Sequence, residues 1–264
     1  MMPILTHTQY TQLAPTTWCA TAQVNDALSQ SFEELWRQSS WLLVSHIPPI
    51  INFYRHDELN WQNYLSPVTL SVRDMTHNQR QLQRKGVRLL LQQLLDQLEI
   101  NDALDESAFP YRLINNNYYV CFSHTGSKNK NDVNNNSGQA THQPLNNQVA
   151  VIISRDRPVG IDIEANDVAW KVAQRFYSAN EIATIQALPM IQRNIVTKLL
   201  WQIKESLIKI HQYTLAQGLG KDYAYLIAGL LNAIKEPSPL IVIPDIQSHY
   251  HIAVLPAQQT IVIF

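Results

Sequence analysis

The chain has 264 residues, of which 45% are hydrophobic and 16% are charged, which is enough to build the core of one or two folded domains. The formal net charge of −1 excludes a general attraction to nucleic acid or to a membrane surface, so any anion-binding site must be a local cluster of basic residues. The two cysteines, Cys19 and Cys121, are too few for a disulfide framework or a four-cysteine zinc site, and we expect reduced, packed thiols.

The first half of the chain predicts strands around one long helix. Residues 41–47 are apolar and end before two prolines, which predicts a strand. Leucine and valine recur at helical spacing over 74–98, which predicts an amphipathic helix. Residues 118–122 predict a further strand that ends at Ser123 and His124.

The middle of the chain changes composition sharply. Residues 127–148 are rich in asparagine and glutamine and almost lack large apolar side chains, so we expect a flexible loop that buries no core. Apolar segments follow at 149–154 and 159–164, and the turn-like residues 155–158 between them predict a β-hairpin.

The second half predicts helices and then strands. Ser178 and Glu181 have the spacing of a capping box, which predicts that a helix starts there. Pro189 predicts the start of a longer helix that runs to about residue 212. Three apolar segments of β character close the chain: 240–243, 251–255 and 260–264.

This order of elements favours an α+β fold over an alternating parallel-sheet fold. Strand and helix segments occur on both sides of the predicted hairpin, which favours two similar small α/β subdomains. We place the boundary between them at 157/158, giving subdomains at 1–157 and 158–264.

A pair of acids lies on the last predicted strand of the hairpin, in the sequence Gly-Ile-Asp-Ile-Glu. Residues two apart on a strand face the same side, so Asp162 and Glu164 project together. Two adjacent carboxylates repel each other unless a cation lies between them, and oxygen ligands favour Mg²⁺ or Mn²⁺. The alternative is a solvated strand face with two unrelated acids.

A third acid and an ammonium lie on the long helix that follows Pro189. Glu205 and Lys209 are four residues apart and share a face with Trp201, so they can complete a metal site and contact a phosphate. The alternative is an ordinary surface pair of opposite charges.

Two further features can bind phosphate. Ser123 and His124 offer a hydroxyl and an imidazole at a strand end, although a strand-end histidine is often satisfied by its neighbours. The helix over 74–98 carries a basic group in which Arg84 and Arg88 share a face, or it presents solvated charge. A serine–histidine nucleophile pair is excluded because adjacent strand residues point to opposite faces.

In this order, these motifs resemble the 4′-phosphopantetheinyl transferases over about residues 80–215. The resemblance is to the surfactin-type class, which has two subdomains, is monomeric and activates peptide synthetases. The matching residues are Gly160-Ile161-Asp162-Ile163-Glu164; Trp201, Lys204, Glu205, Ser206 and Lys209; Phe122-Ser123-His124; and Arg175-Phe176-Tyr177-Ser178 with Glu181.

The resemblance implies a site for Mg²⁺, or Mn²⁺, and for coenzyme A as substrate. Asp162, Glu164 and Glu205 are the implied metal ligands. Glu205, Lys209 and Asp162 are the implied catalytic residues, with Glu205 as base or as ligand alone. The implied coenzyme A contacts are Ser123, His124, Arg84, Arg88, Lys204 and Lys209.

The resemblance also implies a fold and a reaction. The fold is a pseudo-twofold pair of subdomains. The reaction moves 4′-phosphopantetheine from coenzyme A to a serine of an apo acyl or peptidyl carrier protein and releases 3′,5′-ADP, in fatty acid or secondary metabolite synthesis. We expect a monomer that binds neither nucleic acid nor membrane. The sequence has no secretory signal pattern and no apolar run of about 18 residues, so we expect a cytoplasmic location.

Two alternatives stay open. One is a non-catalytic coenzyme A or carrier-protein binding module of the same fold, and the other is a different metal-dependent phosphoesterase that uses the same acids. The chain also departs from the family pattern. Phe109 stands where the family has a phosphate-binding lysine, residues 212–215 replace a Gly-x-Gly-Leu segment, and the loop at 127–148 exceeds the usual tight connection.

Overall fold

The computed structural model describes residues 3–26, 72–126, 147–235 and 237–264. The predicted strand at 41–47 lies outside these ranges, as does all but the end of the predicted loop at 127–148. The described strands form two separate antiparallel sheets, one of six strands and one of four. The described part is mixed α+β, which confirms the predicted fold class.

The first sheet comes from the N-terminal half and packs one face against a long helix. Its strand order is β1-β2-β6-β5-β4-β3. The helix, α1, spans Val72–Gln97 and confirms the helix predicted from the leucine pattern. The strands are β1 (Pro3–Ala14), β2 (Thr17–Asp26), β3 (Leu104–Asp105), β4 (Tyr111–Leu113), β5 (Tyr119–Gly126) and β6 (Asn147–Ser154).

The second sheet comes from the C-terminal half and has the strand order β7-β10-β9-β8. Its strands are β7 (Gly160–Ile163), β8 (Ile241–Asp245), β9 (Tyr250–Leu255) and β10 (Thr260–Ile263). The α-helices beside it are α2 (Trp170–Phe176), α3 (Ala179–Gln186), α4 (Met190–His211), α5 (Leu215–Leu219) and α6 (Ile227–Lys235). Among the described residues, no helix combines the length and the apolar character needed to cross a membrane.

The helix boundaries follow local signals. Ser178 accepts from the Glu181 backbone N–H while the Glu181 carboxylate accepts from the Ser178 N–H, so the predicted capping box is confirmed. Pro189 is the N-cap of α4, as its restricted backbone favours. The helix ends at Gln212, which adopts the left-handed conformation with φ 57°. That conformation favours glycine. Gln212 is the first residue of the segment 212–215, which departs from the Gly-x-Gly-Leu pattern.

The predicted hairpin of residues 149–154 and 159–164 is wrong. β6 already pairs with β2 on one edge and β5 on the other, so it has no edge left for β7. β7 pairs instead with β10, about a hundred residues further along the chain. The turn-like residues 155–158 therefore carry the chain from the first sheet to the second.

The first sheet is also longer at its site end than predicted. β5 continues through Ser123 and His124 to Gly126, and β6 begins at Asn147. The two ends pair with each other, with Thr125 opposite Gln148. Ser123 and His124, predicted to end the strand, therefore lie within β5.

The two sheets face each other across an apolar layer. Cys19 and Cys121 from the first sheet pack there with Ile161 and Val262 from the second. Both cysteines are buried and free, as predicted. This layer brings β5 against β7, and the functional residues lie where it ends.

Gly160 allows α4 to approach β7 closely. A Cβ atom at residue 160 would lie 2.3 Å from the Ser206 carbonyl oxygen on α4. Because that atom belongs to a helix backbone, it cannot move aside as a flexible side chain would. The glycine of the Gly-Ile-Asp-Ile-Glu motif is thus a requirement of helix–strand packing.

We predict that Gly160→Ala lowers the free energy of unfolding by about 1–3 kcal/mol, the range expected for overpacking. Gly229→Ala is the matched control, because a Cβ there would meet only Ile243 at 3.4 Å, an ordinary contact. Urea unfolding of the two variants measures the difference. Equal stability of the two variants would contradict the close approach of α4 to β7.

Candidate functional site

The candidate site begins with two pairs of side chains that join the sheets. Ser123 Oγ donates to Asp162 Oδ1 at 3.0 Å, and Thr125 Oγ1 donates to Glu164 Oε1 at 3.1 Å. Residues two apart on β5 therefore meet residues two apart on the β7 segment. Asp162 and Glu164 face the same side, as their spacing predicts.

Helix α4 supplies the next groups. Gln202 donates to the Asp162 carbonyl at 3.3 Å and to the Gln259 carbonyl at 2.7 Å, which ties the helix to β7 and to the turn before β10. One and two turns further along α4, Glu205 and Lys209 reach Asp162. Lys209 Nζ donates to Asp162 Oδ1 at 3.1 Å and to the Ile161 carbonyl at 2.6 Å.

Burial and mutual repulsion change the protonation of these acids. Burial raises the pKa of Asp162 and the nearby Glu164 charge adds to the rise, while Lys209 and Ser123 oppose it. Burial and the neighbouring Asp162 raise the pKa of Glu205 to about 7. The Asp162 charge thus acts directly on Glu205, so the two carboxyl groups lie close together.

Lys209 remains positively charged at this site. Burial by itself would lower its pKa, but the Asp162 carboxylate outweighs that effect, and the pKa of Lys209 is raised. Its ion pair with Asp162 spans 3.1 Å. The ammonium is thus the positive charge in direct contact with Asp162, and Lys198, earlier on α4, adds positive charge near Glu164.

The chemistry of these donors fits a hard divalent cation. A cation between Asp162 and Glu205 would relieve their repulsion, and its preferred ligands are carboxylate oxygens. Glu164 is held beside the pair by Thr125 and by the Asn166 backbone N–H at 2.8 Å. In the described ranges, no three acidic, histidine or cysteine side chains stand in metal-ligand arrangement. The predicted ligand set therefore stays a prediction.

His124 lies on the other face of β5, towards α1. Phe122, two residues earlier on the strand, packs into the core beneath this helix. Partial burial lowers the pKa of His124, and so do the positive charges of Lys209, Arg84 and Arg80. An exposed imidazole near three cations favours an anion, so this side of the strand is the candidate phosphate site.

Two predicted phosphate ligands are engaged elsewhere. The Ser123 hydroxyl is buried, donates to Asp162 and accepts from the Ile163 N–H at 3.1 Å, so it links the sheets and does not join His124. Arg88 makes a two-pronged ion pair with Glu106, at 2.7 and 2.6 Å. Ser123 faces away from His124 because neighbouring residues on a strand point to opposite faces. Arg88 is engaged because Glu106 lies beside α1.

Lys204, an implied coenzyme A contact, is instead buried inside the C-terminal half. Its side chain has no exposed surface, and its Nζ lies 2.9 Å from Glu181 Oε1. It also donates to the Leu219 carbonyl at 2.7 Å and lies about equally far from the Tyr177 and Tyr223 rings, at 5.0 and 5.1 Å. Lys204 therefore joins α3, α4 and α5 inside the C-terminal half.

Three residues at the site were not among the predicted ligands. Thr125 could have been found from its two-residue spacing after Ser123, and Arg80 from its four-residue spacing before Arg84. Gln202 carries no sequence signal, because an amide on a helix is usually solvated. Its role depends on backbone carbonyls that only the fold brings near it.

One family model matches part of the chain. The family model of the 4′-phosphopantetheinyl transferase superfamily matches residues 158–255. The matched range contains β7, α4 and the residues Asp162, Glu164, Glu205 and Lys209, and it excludes β5 and α1. No curated protein and no solved structure matches the chain.

We predict that Glu181→Gln lowers the free energy of unfolding by about 3–5 kcal/mol, because it leaves the Lys204 charge buried without its partner. Glutamine can keep the capping box with its one oxygen but then no longer accepts from the Tyr223 N–H, so the loss combines the unpaired charge with one buried hydrogen bond. Glu106→Gln, at the exposed Arg88 pair, should cost less than about 1 kcal/mol. Urea unfolding measures the free energy of unfolding of both variants. A loss of stability in Glu181→Gln as small as that in Glu106→Gln would contradict the burial of Lys204.

Proposed function

Because residues 158–255 form a domain of the 4′-phosphopantetheinyl transferase superfamily, we propose that this chain transfers 4′-phosphopantetheine from coenzyme A to a carrier protein. The acceptor is a serine of an apo acyl or peptidyl carrier protein, and the reaction depends on Mg²⁺ or Mn²⁺. The observation that carries the proposal is the buried Asp162, with Lys209 3.1 Å away and the half-buried Glu205 one turn before Lys209 on α4.

The reaction is a substitution at phosphorus. The serine oxygen of the carrier bonds to the phosphorus that bears pantetheine, and the bond from that phosphorus to the adenosine 5′-phosphate oxygen breaks. The products are the modified carrier and 3′,5′-ADP, and the serine proton passes to a base. Such transfers depend on positioning and on neutralising charge.

The acids have distinct proposed roles. Asp162, Glu205 and Glu164 would hold the divalent ion, whose charge offsets that of the pyrophosphate oxygens. Glu205 is also the proposed base for the serine proton, because its pKa of about 7 lets it accept a proton near neutral pH. Glu205 lies on α4, whereas Asp162 lies on strand β7 and Glu164 directly follows it.

Lys209 is the proposed donor to the leaving phosphate. An ammonium has three donors, and two of these contact Asp162 and the Ile161 carbonyl. With the nitrogen held by these two bonds, its third N–H is the one left to donate to the leaving phosphate. The ammonium stays charged because the pKa of Lys209 is raised. Lys209 therefore stabilises negative charge that grows on the leaving group.

His124 with Arg84 and Arg80 is the proposed site for the adenosine 3′-phosphate. Phe109, where the family has lysine, offers no donor. Arg112 lies with its guanidinium over the Tyr119 ring at 4.3 Å and donates to the Tyr119 hydroxyl, so we assign the compensation for that lysine to Arg84 first and Arg112 second. The basic residues on α1 remain as the source of positive charge.

Both sheets belong to one chain, which supports the two-subdomain class that acts as a monomer, with its subdomains at 1–157 and 158–264. We place the reaction in the cytoplasm, where carrier proteins of fatty acid or secondary metabolite synthesis would be the acceptors.

The test is incubation of the protein with coenzyme A, Mg²⁺ and an apo carrier, followed by the mass of the carrier. A gain of one phosphopantetheine supports the transferase. Tight coenzyme A binding without a gain would instead support a non-catalytic binding module. Coenzyme A cleavage without carrier modification would support a phosphoesterase.

We predict that Asp162→Asn lowers kcat at least a hundredfold, a barrier increase of about 2.7 kcal/mol. Asparagine keeps the size of the side chain and can still accept from Ser123, so we expect the variant to fold. The melting temperature of the variant, measured in EDTA, shows whether a loss of kcat comes from misfolding. A variant with more than a tenth of the wild-type kcat would refute the role of Asp162 at the metal.

We predict that Arg84→Ala raises KM for coenzyme A about tenfold or more but leaves KM for dephospho-coenzyme A unchanged, as loss of a charge-assisted contact implies. Arg88→Ala is the matched control on the same helix, and its effect should be smaller because Glu106 already pairs with that guanidinium. Equal effects of Arg84→Ala on both substrates would remove Arg84 from the 3′-phosphate site.

A further inference from the structure

Gln202 is a glutamine on α4 that is almost wholly buried, with 1% of its surface exposed. A carboxamide has two N–H donors, and both of them are used on main-chain carbonyls. The amide nitrogen donates to the Gln259 carbonyl at 2.7 Å and to the Asp162 carbonyl at 3.3 Å. Because Asp162 lies on β7 and Gln259 directly precedes β10, one side chain of the helix joins two neighbouring strands at the end of the second sheet.

The Gln259 carbonyl is a shared acceptor. It accepts from Gln202 and also from the Glu164 N–H at 3.2 Å, and a carbonyl oxygen has two lone pairs for two such bonds. Gln202 therefore acts on the main chain of both strand acids. It holds Asp162 directly and Glu164 through one carbonyl oxygen.

Glu164 depends on this oxygen because it lies past the end of the strand pairing. β7 is an edge strand, and its pairing with β10 ends at Ile163 and Thr260. Glu164 follows that last pair. The bond from its N–H to Gln259 continues the attachment of the acid-bearing segment to β10 for one more residue.

The backbone conformation of Gln259 directs the shared carbonyl. Residue 259 is left-handed, with φ 51°, at the end of the short helical turn Pro256–Gln258. Its side chain is exposed, and the atom that meets Gln202 and Glu164 belongs to its main chain. A left-handed residue can be asparagine at little cost, whereas a β-branched residue is strongly disfavoured there.

We propose that Gln202 is a positioning residue for the divalent-ion site. The inference rests on the proposed function, because it assumes that Asp162 and Glu164 hold the ion. The hydrogen bonds of Gln202 go to main-chain carbonyls, so it acts through the ligands and fixes the separation of the two strand acids. Because Gln202 and Glu205 lie on one helix, the same bonds also fix the helix acid relative to the strand acids.

The first test removes the donor and keeps the size of the side chain. Gln202→Met is close to glutamine in length, and Gln202 borders a cavity that Leu199 and Leu255 also line, so we expect the variant to fold. Mn²⁺ is titrated into protein saturated with coenzyme A, and free Mn²⁺ is measured by electron paramagnetic resonance. Loss of a group that orients metal ligands should raise the Kd for Mn²⁺ about tenfold or more.

Activity gives a second readout that separates positioning from chemistry. If Gln202 only positions the ligands, saturating Mg²⁺ should restore the kcat of Gln202→Met to within about threefold of the wild-type value. The KM for coenzyme A at saturating Mg²⁺ should stay within about twofold of the wild-type value. A loss of kcat that excess Mg²⁺ does not restore would contradict a role in positioning the ion.

Two variants of Gln259 test the carbonyl without changing its donor. Gln259→Asn tolerates the left-handed conformation and should leave the Kd for Mn²⁺ within about twofold of the wild-type value. Gln259→Val disfavours that conformation, should turn the carbonyl away and should raise the Kd as Gln202→Met does. Because Gln202→Met and Gln259→Val act through one oxygen, the double variant should weaken binding by less than the product of the two single effects.

Ser154→Ala is the control for a general loss of stability. It removes a buried hydrogen bond to Thr17 at 2.9 Å, at the end of β6 that lies away from the acids. It should lower the melting temperature and leave the Kd for Mn²⁺ unchanged. A rise of the Kd in Ser154→Ala equal to that in Gln202→Met would indicate general loosening and overturn the positioning role.

Failure of this inference and failure of the proposed function give different results. A wild type that binds Mn²⁺, together with a Gln202→Met variant that has the same Kd, would overturn the positioning role alone. A wild type that binds no Mn²⁺ in the presence of coenzyme A would overturn the proposed function as well.

Discussion

The structure depends on one buried charge, the carboxylate of Asp162 at the junction of the two sheets. A charge in this position is costly unless it is paired and hydrogen-bonded. Ser123 supplies a hydroxyl from the first sheet, and Lys209 supplies an ammonium from α4. The close approach of α4 that Gly160 allows makes this arrangement possible. The two halves of the chain and the long helix are therefore joined around the group on which the proposed chemistry also depends.

The same arrangement leaves the acids with an excess of negative charge. Burial raises the pKa of both Asp162 and Glu205, the latter to about 7, and the charges of the neighbouring acids add to the rise. In the proposed function, a divalent ion bound between the acids would relieve this repulsion. Stabilisation of the fold and readiness for the substrate thus have one electrostatic origin.

The motif on α4 combines two functions on two faces of one helix. Glu205 and Lys209 point to the acid cluster, whereas Lys204 points into the helical core and pairs with Glu181. Neighbouring residues on a helix differ in direction by about 100°, so a run of charged residues cannot all face one ligand. Burying Lys204 fixes α4 against α3 and α5, and that rigidity holds Glu205 in position.

The sequence by itself determined the features that rest on short-range physics. These include the α+β class, the helix predicted at 74–98, the Ser178–Glu181 capping box and the common face of Asp162 and Glu164, each of which depends on neighbours within a few residues. Only the tertiary structure decided that β7 pairs with β10, that Arg88 is held by Glu106 and that Lys204 is buried. Each of these depends on groups far away in the chain. Strand partners and the burial of a long side chain are set by packing between elements, and no local spacing encodes which element will arrive.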